Sequence, residues 1–245
     1  MTSYMASIPF KKPALLASLL LLSTGAFAQP DLEGYWSPQF RAAAEGDSLF
    51  AQLPEGTIFI DDAGGAELEE GDYGGLTLSE EALAEVSRHD FSVELTSEFS
   101  CTQPSVALYM QAPFPFEIHQ TDDLIVMRME YFDMFRLIHL DGREHPKDAP
   151  HSKNGHSIGH WEGDELVVDT VLISSGSFMN NGFSHSDNIH MIERFKLSSD
   201  GKTLLATQLY EDPEVFEGKA ARSLAWGRVP GEYVYPYECD PTFGI

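Results

Sequence analysis

From residue 114 to residue 210 the chain consists of short strand-forming segments separated by turn residues at hairpin spacing. Turn signals stand at Thr121-Asp122-Asp123, Asp141-Gly142, Glu162-Gly163-Asp164 and Ser199-Asp200-Gly201. Between residues 124 and 131 apolar and charged residues partly alternate, which is the period of a strand with one buried face. The predicted strands are 114–120, 124–131, 135–140, 155–161, 165–172, 188–197, 203–210 and, in the tail, 232–237.

Many short strands with few helices predict an all-β fold. We expect an antiparallel, lipocalin-like β-barrel of about eight to ten strands, and a β-sandwich is the alternative. Near the start of the mature chain, Gly34 and Trp36 suit a first strand whose tryptophan fills one end of a barrel.

One short helix is predicted within residues 77–88. Ser79 suits its N-cap, and Leu83 and Val86 form a short apolar edge. The preceding residues 41–75 are rich in Gly, Asp and Glu and predict an irregular, exposed excursion. The role of its acidic part, 61–72, is left open.

The N-terminal 28 residues have the pattern of a signal peptide. Lys11 and Lys12 precede an apolar run, 13–23, and Ala26-Phe27-Ala28 forms an A-x-A cleavage site. That run is shorter than the roughly 20 residues that cross a bilayer. We therefore predict cleavage after Ala28, a periplasmic or secreted protein without a membrane span, and a single domain over 29–245.

The chain is strongly acidic, with 15 Lys and Arg residues against 39 Asp and Glu and a formal charge of −24. Such a balance argues against nucleic acid and anionic membrane surfaces as partners, because their phosphates would be repelled. A small-molecule ligand or substrate is the expected partner, and the oligomeric state is left open.

The only cysteines are Cys101 and Cys239. In an oxidising compartment two cysteines favour one disulfide, which would join the C-terminal tail to the first half of the chain. Two buried free thiols are the alternative.

Several segments resemble a family of exported bacterial proteins of uncharacterised function: PFPFEIHQTDD, HLDGREHP, NGHSIGHWEGDELVVDT, HSDNIHMIERF and YECDP. The long GHSIGxWEGDxLVVDT motif is the most specific of them. The resemblance covers about two-thirds of the chain and implies export, one domain and a lipocalin-type barrel, without assigned catalytic residues. Position 160 is His where such proteins usually have Arg, so His160 is a poor candidate for a shared function.

Strand alternation divides the histidines of residues 151–190 between two faces. His156 shares a face with His160, and His190 shares one with Arg194, while Glu193 points the opposite way. His185 lies in the loop before the strand of His190. We expect His156, His185 and His190 to meet at one barrel mouth.

These histidines suggest cofactor-free acid–base chemistry of the lyase, isomerase or cyclase type, since a carboxylate can orient a His or hold its proton. The candidate catalytic residues are His156, His185, His190, Glu130 and Asp169. The candidate substrate-binding residues are Arg136, Arg194, Tyr131, Phe116 and Trp161. The two arginines suit a substrate carboxylate or enolate.

Two other functions remain open. His156, His185 and His190 would be the ligands if a divalent transition metal bound, although their spacing matches no known metal signature. A barrel of this size also suits a carrier that binds a small, partly apolar molecule without chemistry. No cofactor motif is present, so no cofactor is predicted.

Overall fold

The computed structural model describes residues 29–39, 48–60, 68–94, 96 and 100–242. The predicted signal peptide and parts of the predicted excursion lie outside these residues. The strands are β1 Gly34–Pro38, β2 Ile58–Phe59, β3 Phe116–Gln120, β4 Leu124–Met129, β5 Phe135–His139, β6 His156–Glu162, β7 Glu165–Val171, β8 Gly176–Ser177, β9 Ser184–His185, β10 His190–Leu197, β11 Thr203–Glu211 and β12 Ala220–Arg228. The helices are α1 Glu80–Val86, α2 Phe91–Glu94 and α3 Val106–Tyr109, with 3-10 turns at Phe50–Gln52 and Tyr131–Asp133.

Nine strands form a closed barrel in the order β1-β3-β4-β5-β6-β7-β10-β11-β12, and β12 pairs back with β1. Strand β2 adds to β12 from outside, and β8 with β9 forms a separate small sheet. The predicted all-β barrel of eight to ten strands is confirmed, and the sandwich alternative is not adopted. No helix among the described residues is long and apolar enough to cross a membrane.

One barrel pair departs from the predicted antiparallel order, because β5 and β6 run parallel. Parallel neighbours need a crossover connection, and residues 140–155, with Pro146 and Pro150, provide it. This crossover carries a polar loop across the sheet instead of closing a hairpin.

The predicted tail strand at 232–237 is wrong, and the closing strand is β12. Nearly every residue of β12 is buried, so it lacks the polar alternation that marks a half-exposed strand. The tail instead lies over β3 and β4, where the Val234 and Tyr235 amides donate to the carboxylates of Glu117 and Glu130 at 3.0 and 3.3 Å.

The barrel interior is filled by side chains. Trp36, Phe116 and Trp226 are buried, and the Phe116 and Trp226 rings meet edge to face at 5.2 Å between centroids. Met127 and Met191 are also buried in this core. Phe116, a candidate substrate-binding residue, therefore packs in the core.

Helix α1 begins as predicted, since the Ser79 hydroxyl accepts a hydrogen bond from the Ala82 amide at 3.2 Å. Its packing face differs from the prediction. Ala82 is buried and Val86 packs on the core, while Leu83 is exposed.

The disulfide joins Cys101 and Cys239, whose Cα atoms are 5.9 Å apart. It ties the C-terminal tail to the segment before α3, as predicted. The distance lies in the ordinary range for this bond.

Candidate functional site

Two of the candidate residues, Arg136 and Asp169, lie on opposite faces of the barrel wall. The Arg136 guanidinium forms an ion pair with the Glu193 carboxylate, and both side chains are 0% exposed. Arg136 also donates to the Thr170 hydroxyl at 3.1 Å, and Gln208 donates to Glu193 at 2.9 Å.

This pairing assigns Arg136 to the interior of the barrel. Burial alone lowers the pKa of Arg136, but the attraction and hydrogen bonding of Glu193 raise it above its ordinary value. Because Glu193 already neutralises this guanidinium, Arg136 has no free charge to offer a substrate carboxylate.

The outer face of the same wall carries a group of side chains that we call the histidine cluster: His139, His145, His156, Asp169 and His190. His156 alternates with Ser157, which faces the buried Arg136, so His156 points outward. His145 comes from the crossover loop, which covers this face.

The histidine cluster is a chain of contacts. His190 Nε2 lies 2.8 Å from Asp169 Oδ1, and His145 Nε2 lies 3.4 Å from the same oxygen. His145 Nδ1 lies 2.7 Å from His156 Nδ1, whose ring stacks on His139 with centroids 5.4 Å apart. The structure therefore joins three predicted residues, His156, Asp169 and His190, through a fourth, His145.

Protonation is uneven along this chain. The hydrogen bond that His190 donates to the Asp169 carboxylate raises the pKa of His190 and lowers the pKa of Asp169. Burial and then the neighbouring His145 lower the pKa of His156. Burial and Arg143 lower that of His139. The pKa of His190 is thus raised, whereas those of His156 and His139 are lowered.

The third predicted histidine, His185, has other neighbours. Its Nε2 lies 2.6 Å from the Ser105 hydroxyl, and its Nδ1 lies 2.9 Å from the Ser186 carbonyl oxygen. A carbonyl only accepts, so Nδ1 carries the hydrogen and Nε2 accepts from Ser105. Burial lowers the pKa of His185, which keeps the ring neutral.

The predicted convergence of His156, His185 and His190 is therefore wrong. The loop before β10 folds into β8 and β9, and this places His185 against the start of α3. Among the described residues, no group of three or more His, Cys, Asp or Glu side chains has the geometry of a metal site. In the histidine cluster, His145 presents opposite ring nitrogens to His156 and Asp169, so the donors do not surround one point.

The other candidate residues lie apart from the histidine cluster. Arg194 lies on the outer face, and its guanidinium is 2.8 Å from the Glu162 carboxylate. Glu130 accepts from the tail at Tyr235. Trp161 is partly buried, and its indole N–H has no hydrogen-bond partner within the described part of the chain. Tyr131 stacks on Phe114 with ring centroids 4.7 Å apart.

Tyr131 also lines a cleft of about 660 Å³ outside the barrel, which we call the outer cleft. The cleft lies between the α1–α2 region, the segment that leads into α3, and β8. Its apolar lining residues are Val93, Pro104, Leu108, Tyr131, Phe132 and Met179. Its charged lining residues include Glu85, Arg88, Asp90 and Lys153.

A second, smaller cavity of about 360 Å³ adjoins the outer cleft and is lined by His185 and Ser186. The two spaces share Glu85 and Gly176. A Cβ atom on Gly176 would lie 3.2 Å from Lys153 Nζ and 3.9 Å from His185 Nε2. The absence of a side chain at Gly176 thus keeps open the space between these two groups.

The fold and the site define the class of protein: it is a closed β-barrel with a filled interior and a ligand-sized cleft on its outside. A scan against protein-family models finds no model that matches the chain, and a search of curated proteins finds no similar protein. The resemblance described from the sequence motifs stays a prediction.

Sequence reasoning missed His139, His145, Lys153 and Gly176. His139 and His145 flank the Asp141-Gly142 turn signal, and strand alternation says nothing about a loop residue such as His145. Lys153 and Gly176 belong to no motif. Lys153 and Gly176 lie side by side only because the chain between them folds back on itself.

Proposed function

We propose that this protein is an exported β-barrel that binds a small, partly apolar molecule in the outer cleft. The observation that carries the proposal is the volume and lining of the cleft. About 660 Å³ falls within the range of roughly 300–1,000 Å³ that is typical of small-molecule sites. Its lining combines apolar and aromatic side chains with polar and charged ones, and small-molecule sites use both, the apolar groups for contact area and the polar groups for orientation.

Export is supported by two independent features. The N-terminal residues have the charged, apolar and small-residue pattern of a signal peptide. The Cys101–Cys239 bond is of the kind that persists in oxidising compartments. The ligand would accordingly be a molecule met outside the cytoplasm.

The outer cleft predicts the effect of filling Gly176. Gly176→Val is expected to weaken binding of the neutral fluorescent probe N-phenyl-1-naphthylamine at least fivefold, because the new side chain occupies the space beside Lys153 and His185. Gly176 lies in a strand, which tolerates Val. Fluorescence titration of the purified mature protein measures the affinity.

Ser223→Val is the matched control, since Ser223 is a partly exposed residue of β12 that does not line the cleft. It should bind the probe as the wild type does. Unchanged affinity in the Gly176→Val variant, or no saturable binding by the wild type, would remove the outer cleft as the ligand site.

A second candidate function is acid–base catalysis of a cofactor-free lyase, isomerase or cyclase step by Asp169 and His190. One observation favours it: the 2.8 Å contact pairs a carboxylate with a histidine that is 36% exposed and therefore reachable. A carboxylate that orients an imidazole and raises its pKa is the usual support for a general acid.

This candidate requires that Asp169 sets the proton affinity of His190. Asp169→Asn should lower the pKa of His190, which is measured by an NMR titration of its ring protons.

The pair also makes the stability of the fold depend on pH. Because the pKa of His190 is raised, His190 stabilises the fold at pH values below the ordinary histidine pKa. Because the pKa of Asp169 is lowered, Asp169 stabilises the fold at pH values above the ordinary aspartate pKa. The pair's contribution is therefore full between about pH 4 and 6.5 and is lost on either side.

Because both side chains are partly exposed, this contribution is small, about 1 kcal/mol or less. Asp164→Asn is the control, since Asp164 lies on the exposed turn between β6 and β7. A His190 pKa that is the same in Asp169→Asn as in the wild type would rule out the acid–base role of this pair.

A further inference from the structure

Lys153 differs from the other partly buried lysines. Lys196 and Lys219 each lie within ion-pair distance of a carboxylate, Lys196 at 3.0 Å from Glu165 and Lys219 at 2.5 Å from Glu211. Lys153 forms no ion pair with any residue in the described ranges. The lack of an ion pair at Lys153 is notable because acidic residues outnumber basic ones in the chain, 39 to 15.

The Lys153 ammonium lines the outer cleft beside Gly176. It donates one hydrogen bond, to the Ser175 carbonyl oxygen at 2.8 Å. An ammonium has three N–H donors, so two remain for a partner in the cleft. Burial lowers the pKa of Lys153, and the attraction of Asp187 opposes this shift only in part.

The nearby charges do not neutralise Lys153. Asp187 attracts it from a distance, but the Asp187 carboxylate accepts from the Ser175 amide. Glu85 and Asp90 also line the cleft, together with Arg88. None of these carboxylates lies within ion-pair distance of the Lys153 ammonium, so the place beside it suits an anionic group of the ligand.

Part of the remaining lining of the outer cleft is apolar and aromatic. Leu108, Tyr131, Phe132 and Met179 line it, and the Tyr131 and Phe132 rings meet at 4.7 Å between centroids. Such a wall binds the apolar body of a ligand through buried area and leaves its head to the cation.

We propose that the ligand of the outer cleft is an amphipathic carboxylate, whose carboxylate pairs with Lys153 and whose apolar body lies on the Tyr131–Phe132 wall. This inference rests on the proposed function of the cleft as a binding site. It adds the chemical class of the ligand.

The test is competition against N-phenyl-1-naphthylamine by two ligands of equal chain length, decanoate and 1-decanol. Decanoate should displace the probe from the wild type at a concentration at least tenfold lower than 1-decanol. Lys153→Met keeps the aliphatic stem and removes the charge. It should abolish this preference, so that decanoate and 1-decanol displace the probe from the variant at similar concentrations.

Lys147→Met is the matched control, because Lys147 lies in the same loop and is exposed. It should keep the full preference for decanoate. Equal displacement by both ligands in the wild type, or a preference that survives in Lys153→Met, overturns the inference while probe binding still supports the cleft. Absence of saturable probe binding overturns the proposed function and the inference together.

Discussion

Replacement of Glu193 by Ala is expected to lower the free energy of unfolding by about 3–5 kcal/mol. The Arg136 and Glu193 side chains are both 0% exposed. Without Glu193 the guanidinium charge stays in the barrel interior, where its remaining hydrogen-bond partners among the described residues are the hydroxyls of Ser157 and Thr170. The expected loss of stability is large because the variant leaves an uncompensated charge buried. That cost exceeds the net stabilisation that the ion pair contributes.

Urea unfolding of the oxidised protein measures this difference. Glu162→Ala is the matched control, since Glu162 pairs with Arg194 on the exposed outer face. Its effect should not exceed the scatter of surface substitutions. If Glu193→Ala and Glu162→Ala destabilise the protein equally, the interior ion pair is not formed in solution.

The second large effect is expected on removal of the disulfide. The double change Cys101→Ser and Cys239→Ser should cost about 2–5 kcal/mol. The bond closes a loop with a sequence separation of 138 residues, so in the chain-entropy model it strongly restricts the unfolded state. It also holds the tail, whose Val234 is buried over the barrel.

Two measurements check this prediction. The double variant and the reduced wild type should show the same lowered midpoint in urea. Thiol titration of the denatured, oxidised wild type should find no free thiol. Two free thiols in that sample, or a double variant as stable as the wild type, would contradict a covalent link between tail and barrel.

Much of the barrel was predictable because the relevant signals are local. The hairpins β3–β4, β6–β7 and β10–β11 each have a turn signal between two strand-forming segments, and all three form. Strand β12 was missed because its burial on both faces removes the alternation. The parallel pairing of β5 and β6 depends on how a 16-residue crossover, 140–155, folds, and no local pattern reports that.

The candidate site was predictable only in part, because it depends on how the residues of neighbouring strands pair with one another. The sequence placed His190 and Glu193 on opposite faces, and the structure has His190 outside and Glu193 inside. The contact between His190 and Asp169 follows from the pairing of β7 with β10, which one strand alone does not reveal. The position of His185 depends on the β8–β9 fold, so its separation from His156 and His190 was not foreseen.

The central claim is that the ligand binds in the outer cleft and not within the barrel. The most direct test is NMR of the protein labelled with ¹³C at the methionine methyl groups, titrated with decanoate. Met179 lines the outer cleft, whereas Met127 and Met191 are buried among the core side chains of barrel strands β4 and β10. We predict that the Met179 methyl resonance shifts saturably while those of Met127 and Met191 do not. Shifts of Met127 and Met191 with an unchanged Met179 would contradict the claim.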